Sequence, residues 1–311
     1  MKPAPVFTQL GMTARDCLMH GQRGKVLAVF SKVIYLLADA DELFWIAEDD
    51  SPMHRRCAQI SSPLPGLVAG SPFHVQNHHL TIDPGFIFEI NDAPLWSAPR
   101  LDPNRILGIA QLPERSHSLF SNLNFSQAKG FGKFIPHIVS LSQNESINPA
   151  SGITDIILRF AQPLVLDMAR ACLEQQPSRI PHLADKLIGL GTGLTPSGDD
   201  FLGGLLFAVN HLQAAYPNYD FTDYKFPIEP YRSLTHLISF ALLKDHANGH
   251  AIEPLHHIIN GILSGESLEN IYLFISQLTQ IGHSTGWDLL TGLPVGLLAA
   301  NGLQSLQTLG D

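Results

Sequence analysis

The first hundred residues alternate apolar and polar positions in short runs, at 25–30, 33–38, 43–47, 73–83 and 86–90. Successive side chains of a strand point to opposite faces, so this period predicts half-buried β-strands. Turn-forming clusters separate the runs, among them Asp39-Ala40-Asp41, Ser61-Ser62-Pro63 and Asp83-Pro84-Gly85, and strands joined by such short turns pair antiparallel. From about Pro103 the apolar spacing lengthens to three and four residues, at 153–174, 180–188, 231–246, 252–263 and 268–281. That period predicts amphipathic helices. The expected fold class is α+β: a mainly antiparallel β subdomain over 1–115, then a mostly α-helical subdomain over 116–311. The stretch 115–151, rich in Ser, Asn and Gly, marks the change of period, and Lys129-Gly130-Phe131-Gly132-Lys133-Phe134 within it reads as an ordered loop.

Two segments, 201–209 and 289–300, depart from amphipathicity by being apolar on all sides. Both are shorter than the roughly 20 residues of a bilayer-spanning helix, so they are predicted as helices buried in a protein core, and no membrane is expected as a partner. Composition points the same way. With 45% hydrophobic and only 15% charged residues in 311, much of the surface is expected to be covered by packing, within the chain or in an oligomer or complex. Nineteen basic residues face 28 acidic ones, a net charge of -9 with no basic run, which excludes the electrostatic footprint of a nucleic-acid binder. Cys17, Cys57 and Cys172 are far apart and fit no metal or redox spacing, and residues 1–10 hold two prolines and no continuous apolar signal core. A cytoplasmic protein with reduced thiols is the expectation.

The chemistry concentrates in Gly189-Leu190-Gly191-Thr192-Gly193-Leu194-Thr195-Pro196-Ser197-Gly198-Asp199-Asp200, a loop that enters the apolar helix. Glycines permit close backbone approaches, and Thr195 or Ser197 is placed to cap the helix. A helix start with free amides attracts anions. Gly191, Thr192, Gly193, Thr195, Ser197 and Gly198 are therefore the candidate anion contacts. The segment is not a nucleotide P-loop, because Asp199 stands where that loop needs its lysine. Two acids beside an anion repel it unless a cation intervenes, and magnesium commonly joins carboxylates to a phosphate oxygen, which makes Asp199 and Asp200 candidate metal ligands and magnesium the candidate cofactor. The plainer alternative is that the two acids only complement the helix dipole. Adjacent helical positions point about 100° apart, so one acid is expected to face the ligand and the other to support it.

Gly282-His283-Ser284-Thr285-Gly286-Trp287-Asp288-Leu289-Leu290-Thr291-Gly292 echoes this corner. One constant offset aligns Gly198, Asp200, Leu202 and Gly204 with Gly286, Asp288, Leu290 and Gly292, giving the shared pattern Ser/Thr-Gly-x-Asp-x-Leu-x-Gly. The two helix starts are expected to converge, in a pseudo-twofold arrangement, on one pocket. Asp288 then joins Asp199 and Asp200 as a candidate catalytic group, His283 is a candidate for proton transfer, and Ser284, Thr285 and Gly286 are candidate anion contacts. The competing reading gives Gly204 and Gly292 a packing role and Asp288 a capping role. Lys129 and Lys133 are weaker candidates for phosphate contact. Asn77-His78-His79, read as alternating along a strand, lacks further ligands for a metal. His246 and His250 suit a helix C-terminus without catalytic duty. No G-x-S-x-G elbow supports a hydrolase triad.

The segments 189–200 and 282–288 resemble the signatures of the AllH-like family, a domain of unknown function whose named member is a subunit of bacterial oxamate carbamoyltransferase. The resemblance implies a subunit of a multi-subunit enzyme of allantoin degradation, in purine catabolism, that converts oxalurate and phosphate to oxamate and carbamoyl phosphate. It implies a small anionic substrate, such as phosphate, carbamoyl phosphate or an oxamate-like compound, and other subunits as partners. The Ser-Thr-x-Arg-Thr phosphate motif of the common carbamoyltransferases is absent from the sequence, so carbamoyl phosphate would bind here by another device. Two alternatives stand beside this reading: a non-catalytic scaffold or regulatory subunit, and a Mg-dependent phosphotransferase.

Overall fold

A computed structural model describes residues 5–19, 21–39, 41–145, 154–301 and 303. Ala40 of the first turn, residues 146–151 of the Ser/Asn/Gly-rich stretch and Ile153 at the predicted helix start lie outside the described residues. The chain divides into two compact units, Met1–Pro99 and Arg100–Asp311.

In the first unit the strands are β1 (Phe7–Leu10), β2 (Arg23–Val29), β3 (Val33–Ala38), β4 (Leu43–Glu48), β5 (Cys57–Ile60), β6 (Pro72–Gln76), β7 (His79–Ile82) and β8 (Phe86–Glu89), with one helix, α1 (Met12–Met19). They form one eight-stranded sheet in the order β1-β5-β4-β3-β2-β6-β7-β8. Every pairing is antiparallel except β4 with β5. A bridge between Val6 and Glu89 and a bond from the Glu89 amide to the Pro5 carbonyl at 2.9 Å bring the two edges together. Closing a sheet this way removes its unpaired edges. The alternation along β3, β6 and β7 sends Leu36, Phe73 and Leu80 into a core shared with Phe7, Phe44 and Phe88.

The run 73–83 is a hairpin rather than one strand. Asn77 and His78 adopt φ of 50° and 61°, the left-handed pair that a two-residue turn between twisted strands requires. His78 therefore lies in a turn and not on an alternating strand, and the His79 ring nitrogen Nδ1 lies 2.7 Å from the Asn77 carbonyl. Strand β5 is buried at all four positions, so it has no alternation to read.

The second unit contains α2 (Leu112–Ser121), α3 (Ile135–Ser142), α4 (Ile156–Leu173), α5 (Ile180–Leu187), α6 (Ser197–Ala215), α7 (Leu237–Ala247), α8 (Glu253–Ser264), α9 (Leu268–Leu278) and α10 (Thr285–Leu297). The lengths and types of these elements, after the mostly antiparallel sheet, make the chain α+β. Helices α6 and α10 lie at the centre, with every residue of 198–209 and 286–297 buried. That is the environment their all-round apolar sequence demands. They touch backbone to backbone. A Cβ added at Gly292 would stand 2.6 Å from the Leu205 nitrogen, and one at Gly204 would stand 3.1 Å from the Gly292 Cα. Among the described residues no helix is long and apolar enough to cross a membrane, and Cys17, Cys57 and Cys172 are buried free thiols.

Candidate functional site

The first corner runs from the end of α5 into α6. The Gly198 amide donates to the Leu190 carbonyl at 2.8 Å, and the Asp199 and Asp200 amides both donate to the Pro196 carbonyl, at 3.0 and 3.1 Å. The cap position is Pro196, and no side chain caps this helix. The expectation that Thr195 or Ser197 supplies the cap is thus corrected, for both hydroxyls turn to the other corner instead. The Gly198 amide, a candidate anion contact, is already satisfied within the chain.

The second corner, from the end of α9 into α10, is built alike. Gly198 backs onto the carbonyl of Leu187, the last residue of α5, and Gly286 backs onto that of Leu278, the last residue of α9. A side chain at either glycine would collide with backbone. The two corners meet at their hydroxyls. Thr195 Oγ1 and Thr285 Oγ1 are 2.9 Å apart, and Ser197 Oγ and Ser284 Oγ are 3.5 Å apart, with all four residues half-buried.

Two carboxyl groups lie with these hydroxyls, Asp200 at 3% exposure and Asp288 at 0%. Asp288 Oδ1 accepts the Phe131 amide at 2.6 Å. This bond comes from a short 3-10 turn over Gly130–Phe134, pressed so closely on the corner that a Cβ at Gly130 would overlap Asp288 Oδ1. Among the described residues, Oδ2 of Asp200 and Oδ2 of Asp288 are buried without a hydrogen-bond partner. Native proteins leave few such atoms, and each requires an explanation.

Burial, and then the charge of Asp288, raises the Asp200 carboxyl well above the ordinary carboxylate range; the Thr285 hydroxyl opposes this, Asp199 adds to it, and the Thr195 hydroxyl opposes it. Burial pushes Asp288 up to about 7, against the Phe131 amide and the Ser284 and Ser197 hydroxyls. Each acid thus meets one hydroxyl from either corner, the two threonines at Asp200 and the two serines at Asp288. Among the described residues, no basic group acts on either.

Asp199 belongs to a different network. Its Oδ1 accepts the Gly189 amide at 2.7 Å, and its Oδ2 accepts the hydroxyls of Ser239, at 2.6 Å, and Thr235. With both oxygens engaged, Asp199 ties the glycine loop and the start of α7 to α6. Asp200, one residue on, lies instead with Asp288, whose charge acts on it. The predicted helix 231–246 starts only at Leu237; Thr235, just before it, reaches Asp199.

The remaining candidates sit around this centre. Gly191 is half-buried against the Ser197 amide, while Thr192, Gly193 and His283 are exposed. Lys129 precedes the Gly130–Phe134 turn and Lys133 lies within it, both exposed. The Phe131 amide, Thr235 and Ser239 were not among the residues singled out from sequence. The glycine pattern of 129–134 was the local signal for the first, but its partner Asp288 is 157 residues away.

The fold and this centre define a helical domain organised about two like glycine/aspartate corners. Residues 187–297 match the family model of oxamate carbamoyltransferase subunit AllH. The match begins at the last residue of α5 and ends at the last residue of α10, so it takes in both corners. No solved structure matches the chain.

Proposed function

We propose that the chain is a subunit of a carbamoyltransferase and that the paired corner is its contribution to a site for a small anionic substrate. By the resemblance of residues 187–297, the reaction is attack of a phosphate oxygen on the carbamoyl carbon of oxalurate. The bond from that carbon to the oxamate nitrogen breaks, the nitrogen takes up a proton, and oxamate and carbamoyl phosphate leave. Thr195, Ser197, Ser284 and Thr285 present half-exposed hydroxyls to the anion. Asp200 and Asp288 fix the direction of those hydroxyl protons, which sets whether each oxygen donates or accepts. Asp199 holds the loop in place.

One observation carries the reading. The shared pattern brings two acids from distant segments to one point, where each keeps a buried oxygen without a partner. Packing accounts for the glycines of the pattern, which sit where backbones touch, and that observation favours a scaffold as the second reading. It does not account for the acids, since Asp288 binds the Phe131 amide rather than its own helix start.

The test is phosphate-dependent oxalurate cleavage by the complex assembled with its partner subunits. Asp200→Ala is expected to abolish it, whereas full activity of that variant would leave the scaffold reading standing.

A further inference from the structure

Two acids buried side by side need a compensating positive charge or bound protons, because an isolated carboxylate in a low-dielectric interior is strongly disfavoured. The charges that act on Asp200 are those of Asp288 and Asp199, both of like sign. Asp200 and Asp288 are 3% and 0% exposed, and each keeps Oδ2 without a partner. Around them stand four hydroxyl oxygens from both corners. From this juxtaposition we propose that Asp200 and Asp288 hold a divalent, oxygen-preferring cation of the magnesium class at the paired corner, which in turn binds the substrate anion.

The donor chemistry selects the class. Among the described residues no group of three or more His, Cys, Asp or Glu stands together as a metal set, so the nitrogen- and sulfur-rich sites that zinc and copper favour are not formed here. Magnesium, by contrast, is commonly bound by one or two carboxylates and completes its shell with water and substrate phosphate oxygens. Asp199 is excluded as a ligand because both its oxygens are engaged. The cation also removes a conflict in the anion reading, since without it two carboxylates would repel a phosphate.

This inference rests on the paired corner being the ligand site. The experiment titrates Mn2+ into the purified full chain, followed by electron paramagnetic resonance, with Mg2+ as competitor and no anion present. One saturable Mn2+ site displaced by Mg2+ is expected. Asp200→Asn and Asp288→Asn, checked for folding by circular dichroism, should each weaken it roughly tenfold or more, since even outer-shell partners of a metal are worth about 10–100-fold. Absence of a saturable site in the wild type overturns the proposal, as does unchanged affinity in folded Asp288→Asn. Should the variants fail to fold, paramagnetic broadening of the wild-type amide resonances decides: loss confined to 195–200, 284–288 and 130–131 supports the site, and broadening centred elsewhere refutes it. Phosphate or oxamate added afterwards separates the two readings. Anion binding indifferent to the metal sinks the cation site and leaves the transferase reading, while a bound metal with no anion affinity does the reverse.

Discussion

Replacing Gly292 by alanine tests whether the α6/α10 crossing is held by contact of the two backbones. The added Cβ would stand 2.6 Å from the Leu205 nitrogen and 2.9 Å from the Gly204 carbonyl carbon, and it would overlap the Phe201 carbonyl oxygen. All three obstacles are backbone atoms of α6, so no rotamer change relieves them and the helices must move apart. Overpacking of this kind costs about 1–3 kcal/mol, and rigid obstacles on one helix argue for the upper end. Against it, alanine in a helix interior gains about 1 kcal/mol over glycine, leaving a net loss of roughly 2 kcal/mol. In a unit of this size each kcal/mol moves the midpoint by about 2–4 °C, so thermal unfolding by circular dichroism should show a fall of about 4–8 °C. Gly193→Ala is the control, because that glycine is exposed and has nothing within 4 Å of an added Cβ. Its φ of 91° costs the alanine backbone strain alone, about 1–2 kcal/mol. A Gly292→Ala midpoint equal to or above the wild type would refute the reasoning.

Three other outcomes follow from the same geometry. Asp199→Ala should destabilise the chain by about 2–4 kcal/mol in urea unfolding, because the Gly189 amide and the Ser239 hydroxyl lose their acceptor in a buried setting; a loss under about 0.5 kcal/mol would show that water replaces the carboxylate. Burial holds His211, His246 and His256 down at about 4, 4 and 3, so these bases are neutral when folded and take up protons on unfolding. Their contribution is fully present above the unfolded value near 6.5 and is lost as pH falls from there toward 4, at up to about 1.4 kcal/mol per pH unit for each histidine. Asp200 and Asp288, whose carboxyls burial raises, bind protons in the folded state and oppose this slope over the same range, so urea midpoints between pH 7.5 and 5 should fall more steeply in an Asp200→Asn/Asp288→Asn variant than in the wild type, and a flat profile in that variant would contradict the burial. Phe131→Pro removes the amide that Asp288 Oδ1 accepts at 2.6 Å, and should reduce oxalurate cleavage by the complex more than Phe134→Leu, a core change of similar depth; equal effects would argue against a role for that bond.

Much of this architecture was legible because it is written locally. The all-round apolar runs 201–209 and 289–300 could only be core helices, and the repeated Ser/Thr-Gly-x-Asp-x-Leu-x-Gly fixed which faces of them were alike. What was not legible depends on partners remote in sequence. Thr195 and Ser197 have the composition of helix caps, yet their hydroxyls pair with Thr285 and Ser284, and Pro196 takes the cap position. The 100° between neighbouring helical positions said that Asp199 and Asp200 must face different surroundings, but not what those were; Ser239 and Thr235 bond to Asp199, and Asp200 lies with Asp288. The hairpin inside 73–83 escaped notice because its turn, Asn77-His78, has no glycine to announce the left-handed backbone.

The likeness of the two corners makes their differences informative. Both place a glycine on the last carbonyl of the preceding helix and an acid two residues on, so the scaffold alone would give two equivalent half-sites. The equivalence is broken by the turn Gly130–Phe134, which supplies a backbone donor to Asp288, while Asp200 is influenced by threonine hydroxyls and by like charges. An N–H bond favours the charged form of a carboxylate and a like charge disfavours it. Burial raises both carboxyls, Asp288 to about 7 and Asp200 well above the ordinary range, so of the pair Asp288 is the readier to carry charge and Asp200 the readier to hold a proton. A symmetric ligand would gain nothing from that division. A compound with an anionic end and a polar uncharged end, as carbamoyl phosphate and oxamate both are, would meet a different partner at each corner.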